Sequence, residues 1–166
     1  MLNALMKISN AKGESKLAGY SDGWIELQAW DWEVEAETSW TKGGGASVGK
    51  PNPGKMNWEH YYDRSSPVIL RYICSGAMFD KIELKMFKGT GQASQTSAMS
   101  NYFTMVMEGA FITKVSNSAT EDGNVLQKVE MVFKTINISY KPQDDKSGAT
   151  GPDVSYGWDI PAGKVS

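Results

Sequence analysis

Ser65-Ser66-Pro67-Val68-Ile69-Leu70-Arg71-Tyr72-Ile73-Cys74-Ser75-Gly76 is the one clear helical stretch in a chain that otherwise reads as strand. Ser65 or Ser66 can accept a backbone N–H as N-cap, and Pro67 suits the first helical position, where its missing donor costs nothing. Ile69, Leu70 and Ile73 form an apolar stripe, Arg71 and Ser75 point elsewhere, and Gly76 is the expected left-handed stop. A helix of about two to three turns, with several β-branched residues, does not hold alone in water. It must dock on an apolar surface, and the strands on either side of it have to supply that surface.

Working outward, Leu5 to Ile8 is a short strand candidate, followed by the polar tetrad Lys12-Gly13-Glu14-Ser15. In Trp24 to Glu35, Ile25, Leu27 and Ala29 alternate with polar partners, and then Trp30, Trp32 and Val34 alternate in the opposite phase. The strand period is two, so this phase change predicts a bulge or sharp coil near Ala29-Trp30, of the kind barrels and orthogonal sheets need at corners. Residues 42–54, rich in Gly and Pro, read as a long loop with no period of their own, and such loops are usually functional. Met56 to Tyr61 is strand-like and leads into the helix. Beyond it, Ile82, Leu84 and Met86 alternate with charged residues, 88–101 reads as a polar loop, and Tyr102 to Val115 carries Phe103, Met105 and Met107 on one face. Residues 116–124 form a turn closed by Asp122-Gly123. Val125 to Tyr140 is a long strand that also switches phase, 142–153 is a third loop, and Val154 to Ile160 is the last strand. Six to eight strands with one lateral α-helix predict a mainly β fold, an antiparallel β-barrel, in a single domain spanning 1–166.

The bulk properties narrow the function. The chain has 166 residues, 40 % hydrophobic and 22 % charged, enough for one sizeable core. Seventeen basic against 19 acidic residues leave a net charge of −2, which speaks against a nucleic-acid or anionic-membrane surface. One cysteine excludes an internal disulfide. The start of the chain does not read as a secretory signal, and no apolar run approaches the roughly 20 residues of a membrane helix. The expectation is a protein made in the cytosol that leaves, if it leaves, by a route other than a signal peptide.

Catalytic candidates are few. His60 and Cys74 are the only histidine and cysteine, so no cluster has metal-ligand spacing and no cofactor is implied. A Cys74/His60 dyad lacks an orienting third residue, and a free cysteine usually just packs. The acidic series Glu26, Asp31, Glu33, Glu35 and Glu37 reads as a solvated strand face. The Gly-rich segment 43–49 is not a phosphate loop. Trp30, Trp32 and Trp158 fit a core. Trp24, Trp40 and Trp58 are less constrained, and if exposed they mark an interface or a carbohydrate-binding surface, the alternative reading.

Several of these pieces, in order along the chain, resemble the haemolysin-coregulated protein (Hcp) family: Lys12-Gly13-Glu14-Ser15, Ala29-Trp30-Asp31-Trp32, the Gly-rich loop, Tyr61-Tyr62-Asp63-Arg64-Ser65-Ser66-Pro67 and Tyr156-Gly157-Trp158-Asp159-Ile160. The resemblance implies a barrel of two sheets with a helix on its flank. It also implies a non-enzymatic tube subunit of the type VI secretion system, forming hexameric rings that stack into a hollow tube fired through a contractile sheath and released outside the cell, with sheath and spike proteins as partners and small effector proteins in the lumen. On this reading Gly43, Gly44, Gly45, Ala46, Ser47, Val48 and Gly49 belong to an extended loop that reaches a neighbouring ring. Asp31, Glu33 and Glu35, opposite Trp30, Trp32 and Val34, are expected to line the lumen or a subunit seam. With Ser166 close behind Ile160, the chain reads as the plain form without a fused toxin domain. The 88–101 loop is longer and richer in Ser and Thr than the family leads one to expect, and it is a candidate for contact with a partner or cargo.

Overall fold

The computed structural model describes residues 3–41, 43–89, 99–142 and 152–166. Along the described chain run β1 (Ala4–Ile8), β2 (Ile25–Glu26), β3 (Ala29–Asp31), β4 (Val34–Thr41), β5 (Gly45–Pro53), β6 (Met56–Tyr61) and helix α1 (Ser65–Ser75). They are followed by β7 (Phe79–Gly89), β8 (Met99–Ala119), β9 (Val125–Val132), β10 (Thr135–Tyr140), β11 (Val154–Asp159) and β12 (Lys164–Val165).

The organising element is β8, with the run that returns along it. Asp122-Gly123 closes the turn, with Gly123 at φ 84° and its N–H donating to the Thr120 carbonyl at 3.0 Å. From there β9 pairs with the second half of β8 (Ala119↔Val125 to Phe111↔Val132), and β10 pairs with the first half (Glu108↔Thr135 to Phe103↔Tyr140). The hairpin bends where the two halves meet. Gly109 sits at φ 66°, in the left-handed region that side chains other than glycine's disfavour, and a Cβ there would come within 2.9 Å of the Lys134 side chain. The Lys134 N–H donates to the Glu108 carbonyl at 3.0 Å across the bend. This one corner carries both strands from one wing of the sheet to the other, as orthogonal packing requires.

Ten strands therefore form one continuous antiparallel sheet in two wings that share β8: β12-β11-β10-β8-β7-β1-β2 and β8-β9-β6-β3. Among the described residues the expected closed barrel is not formed. The wings end at β2 and β3, which are successive pieces of one run joined by chain and not by a ladder. That run is the phase-switched Trp24–Glu35 segment. It breaks at Leu27-Gln28, two residues earlier than expected, and again at Trp32-Glu33, so its three pieces pair with β1, β6 and β5 in turn. Breaks of this kind, with a strand in the Gly-rich segment and another at the C-terminus, raise the count from six to eight strands to twelve among the described residues. The 88–101 segment is strand up to Gly89 and from Met99, and its middle, like most of 142–153, lies outside the described residues.

Between the wings lies one core. Ile25, Leu27, Trp58, Phe79, Ile82, Leu84 and Ile136 are buried in it with Met6, Met56, Met105, Met107 and Met131, whose unbranched chains suit an irregular core. Helix α1 docks on the same core through Ile69, which is fully buried, and through Val68, Tyr72 and Ile73. Tyr72 stacks on Phe79 with ring centroids 3.9 Å apart. Leu70, expected in the stripe, is only half-buried. The start of the helix differs too. The helix starts at Ser65, with Arg64 as N-cap and Pro67 in the third helical position, and just ahead of it Asp63 accepts hydrogen bonds from the Ser65 N–H (2.8 Å) and hydroxyl while the Ser66 hydroxyl accepts from the Asp63 N–H at 3.0 Å. Gly76 ends the helix at φ 68° as expected.

Candidate functional site

The Gly-rich segment is not a structureless loop. β4 and β5 pair as an arm outside the main sheet, with Gly43 and Gly44 in its turn and Gly45, Ala46, Ser47, Val48 and Gly49 in its returning strand, all exposed. The register reads Val34↔Pro53, Ala36↔Pro51, Thr38↔Val48 and Trp40↔Ala46, and the shift between Ala36 and Thr38 is absorbed by an extra residue in β5. Because β4 keeps its alternation, Val34, Ala36, Thr38 and Trp40 share one face with Pro53, Pro51, Val48 and Ala46. Glu35, Glu37, Ser39, Ser47 and Asn52 occupy the other, where the Ser39 and Ser47 hydroxyls hydrogen-bond and the Asn52 amide donates to Glu37 at 3.4 Å.

The arm is thus a ribbon with one apolar and one polar face, and neither face is covered by the rest of the subunit. Trp40 is 80 % exposed and Val48 71 %. An isolated two-stranded ribbon is marginally stable in water, and contiguous exposed apolar surface rimmed by polar groups marks an interaction site. A signal for it was in the sequence: Val34, Ala36, Thr38 and Trp40 alternate, and so do Ala46 and Val48 across a Gly-rich tip, a hairpin pattern masked by two prolines.

At its root the arm is pinned. The Trp32 indole N–H donates to the Gly54 carbonyl at 3.0 Å, and the Gly54 N–H donates to the Glu33 carbonyl at 2.8 Å. A Cβ on residue 54 would lie 2.5 Å from that same Glu33 oxygen, so only glycine lets the strands close here. Trp32 packs on Phe133, at 5.8 Å between ring centroids, tying the root to the core. Asp31, Glu33 and Glu35 are all exposed along this root: Asp31 accepts from the Asn57 amide at 2.9 Å, and Glu35 begins the polar face of the arm.

Other candidates dissolve on inspection. Trp24 and Trp58 are buried, leaving Trp40 alone of the three unconstrained tryptophans on the surface, so the proposed sugar-binding set does not exist. His60 is fully buried while Cys74, expected to pack, is exposed on the helix; the two do not form a dyad. A groove of about 240 Å³ on the outer face of β6, β9 and β8 is open, and its lining residues Glu130 and Glu59 are held in ion pairs with Lys55 (2.8 Å) and Lys128 (3.5 Å). Among the described residues no three His, Cys, Asp or Glu side chains converge as a metal site, and no helix is long and apolar enough to cross a membrane.

Comparison with known proteins agrees with this geometry. The family described as type VI secretion system effector, Hcp, matches residues 5–140. Protein hcp1 of Pseudomonas aeruginosa is 27 % identical over 161 residues, covering 96 % of this chain and 95 % of the relative. The crystal structure of Hcp1 from Salmonella typhimurium superposes with a TM-score of 0.76 at 25 % identity, covering all of both chains. A type VI secretion effector structure from Yersinia pestis shares the fold at a TM-score of 0.72 and 22 % identity, over 95 % of this chain and 99 % of that one. With the family matched over most of its length, and the two-winged sheet and flanking helix in place, this chain belongs to the Hcp family of type VI secretion proteins.

Proposed function

We propose that this protein is the ring subunit of a type VI secretion tube and that the β4–β5 arm is its principal contact with neighbouring copies. Hcp proteins are secreted, structural and not enzymatic, and they form ring-shaped hexamers. The observation that carries the role of the arm is its uncovered apolar face, from Val34 to Trp40 and Ala46 to Pro53. A ring closed head to tail uses two different surfaces of each subunit, and a projecting ribbon against a neighbour's body supplies one of them. In this reading residues 43–49 at the tip bind the adjacent ring. Asp31, Glu33 and Glu35 at the root line the lumen or the seam between subunits.

Several finer points belong to the same proposal. Residues 1–166 act as one tube domain, supported by the full-length superposition on the Salmonella protein. The tube is assembled from cytosolic subunits, has the sheath and spike proteins as partners, and carries small effector proteins.

The test is a double substitution, Trp40→Ser with Val48→Ser, followed by light scattering and negative-stain microscopy at increasing protein concentration. Loss of stacked rings with single rings intact assigns the arm to ring stacking. Collapse to monomers assigns it to the seam within a ring. A variant that closes and stacks like the wild type overturns the role of the arm.

A further inference from the structure

His60 is the chain's only histidine, and it is fully buried in β6. Across the ladder it faces Gln127 of β9, and their side chains meet at 2.7 Å between His60 Nε2 and Gln127 Oε1. The other end of the Gln127 amide fixes the direction of this bond. Its Nε2 donates to Asn117 Oδ1 of β8 at 3.1 Å and to the Ser66 carbonyl of α1 at 3.4 Å, so the Gln127 oxygen is an acceptor and His60 carries its proton on Nε2. That leaves His60 Nδ1 as a bare lone pair, buried and without a partner among the described residues. One neutral imidazole thus stands at the head of a polar chain linking β6, β9, β8 and the first turn of the helix.

We propose that the His60–Gln127–Ser66 chain is an acid-sensitive latch that holds helix α1 on the sheet and releases it when His60 gains a second proton. Protonation puts an N–H on Nδ1, where no acceptor waits, in a site too dry to solvate the cation. The groups in the chain that leads away from it are neutral: Gln127 of β9 meets the ring, and Asn117 of β8 and Ser66 of α1 hold Gln127 in turn, with the N-terminal dipole of α1 also disfavouring a nearby cation. The charged group that acts on the ring is Asp63, from the link into the helix. Its carboxylate already accepts from the Ser65 N–H and hydroxyl, so drawing it to a charged imidazole loosens the cap of the same helix. Arg64, next in sequence, is paired outward with Glu14 at 3.2 Å.

Burial pushes His60 below the ordinary histidine range, against Asp63 and Gln127, which act to raise it. The ring is therefore harder to protonate while docked than once freed, where its pKa returns to about 6.5. The open state binds more protons than the closed one as pH falls through that value, so acid favours opening, and neutral and alkaline pH favour the latch. None of this depends on the tube reading.

The test is hydrogen–deuterium exchange of the α1 amides at pH 7.5 and 5.0, corrected for intrinsic exchange, on the wild type and on His60→Gln, which keeps a donor toward Gln127 but cannot titrate. The expected result is at least a tenfold loss of α1 protection in the wild type at pH 5.0, with the β8 core protected, and no comparable loss in the variant. Helix protection that survives acid in the wild type, or falls equally in both proteins, overturns the latch. If His60→Gln does not fold, titration of the single imidazole by NMR in the wild type decides. A midpoint that coincides with the loss of helix protection supports the latch, and a ring that titrates with the helix unchanged refutes it.

Discussion

The Trp32 indole N–H reaches the Gly54 carbonyl at 3.0 Å, joining the outgoing and returning ends of the arm just where it leaves the body of the subunit. Trp32→Phe keeps an aromatic ring against Phe133, removes this donor and trims part of the packed ring. The expected cost in folding stability is small, about 1 kcal/mol, the usual net worth of a hydrogen bond. The effect on assembly is expected to be larger, because the arm loses its fixed angle. Chemical denaturation should show little change while stacks or rings become fewer at equal concentration; an arm held rigid by other contacts would leave assembly unchanged.

Helix α1 is anchored by Ile69, which has no exposed surface. Ile69→Ala should cost about 2–5 kcal/mol, the range for truncating a fully buried aliphatic side chain. A denaturant midpoint within experimental error of the wild type would mean that the helix is not part of the cooperative core.

The corner at Gly109 makes a separate prediction. Alanine there must adopt φ 66° and meet the Lys134 side chain at 2.9 Å. Lys134 is exposed and can move aside, so the backbone dominates, at about 1–2 kcal/mol for an L-residue in the left-handed region. Gly123→Ala, at φ 84° in the open turn with nothing near its Cβ, should cost a similar backbone penalty and no more. The pair of denaturation midpoints separates conformational strain from crowding.

Reversing the charge of Asp31, Glu33 and Glu35 together, to Lys, should leave the fold intact, since all three are exposed. If they line the lumen or a seam, the variant loses either effector binding or ring closure. Pull-down of cargo and light scattering read these two outcomes separately, and a variant normal in both removes the three residues from the site.

Much of the fold was legible because burial imposes a strict period of two. Ile82 and Leu84, or Met105 and Met107, announce their strands without ambiguity, and Gly76 marks the helix end because only a left-handed residue fits there. Phase switches pointed to corners, but not to what each piece pairs with, since a ladder is fixed by partners distant in sequence. Hence β2, β3 and β4 looked like one strand and the sheet looked closed. The arm is harder to read for a related reason: both its faces are in solvent, its returning strand is rich in Gly, and Pro51 and Pro53 mask the alternation of Ala46 and Val48 opposite Val34 to Trp40. The helix starts two residues before the point that Pro67 suggests, because Asp63 and Ser66 bond reciprocally around Arg64 and order the turn ahead of the proline, which a serine pair beside a proline does not reveal from sequence. At the candidate site, residue identity was visible while exposure was not: Trp24, Trp40 and Trp58 are alike until the packing buries two of them.

The central claim is that this chain closes into a ring. Its most direct test is the mass and shape of the purified protein, by multi-angle light scattering with negative-stain microscopy. Six subunits of 18.2 kDa give about 109 kDa. The account predicts a particle of that mass with a central hole. A monodisperse 18.2 kDa monomer at every concentration, with no rings on the grid, would contradict it.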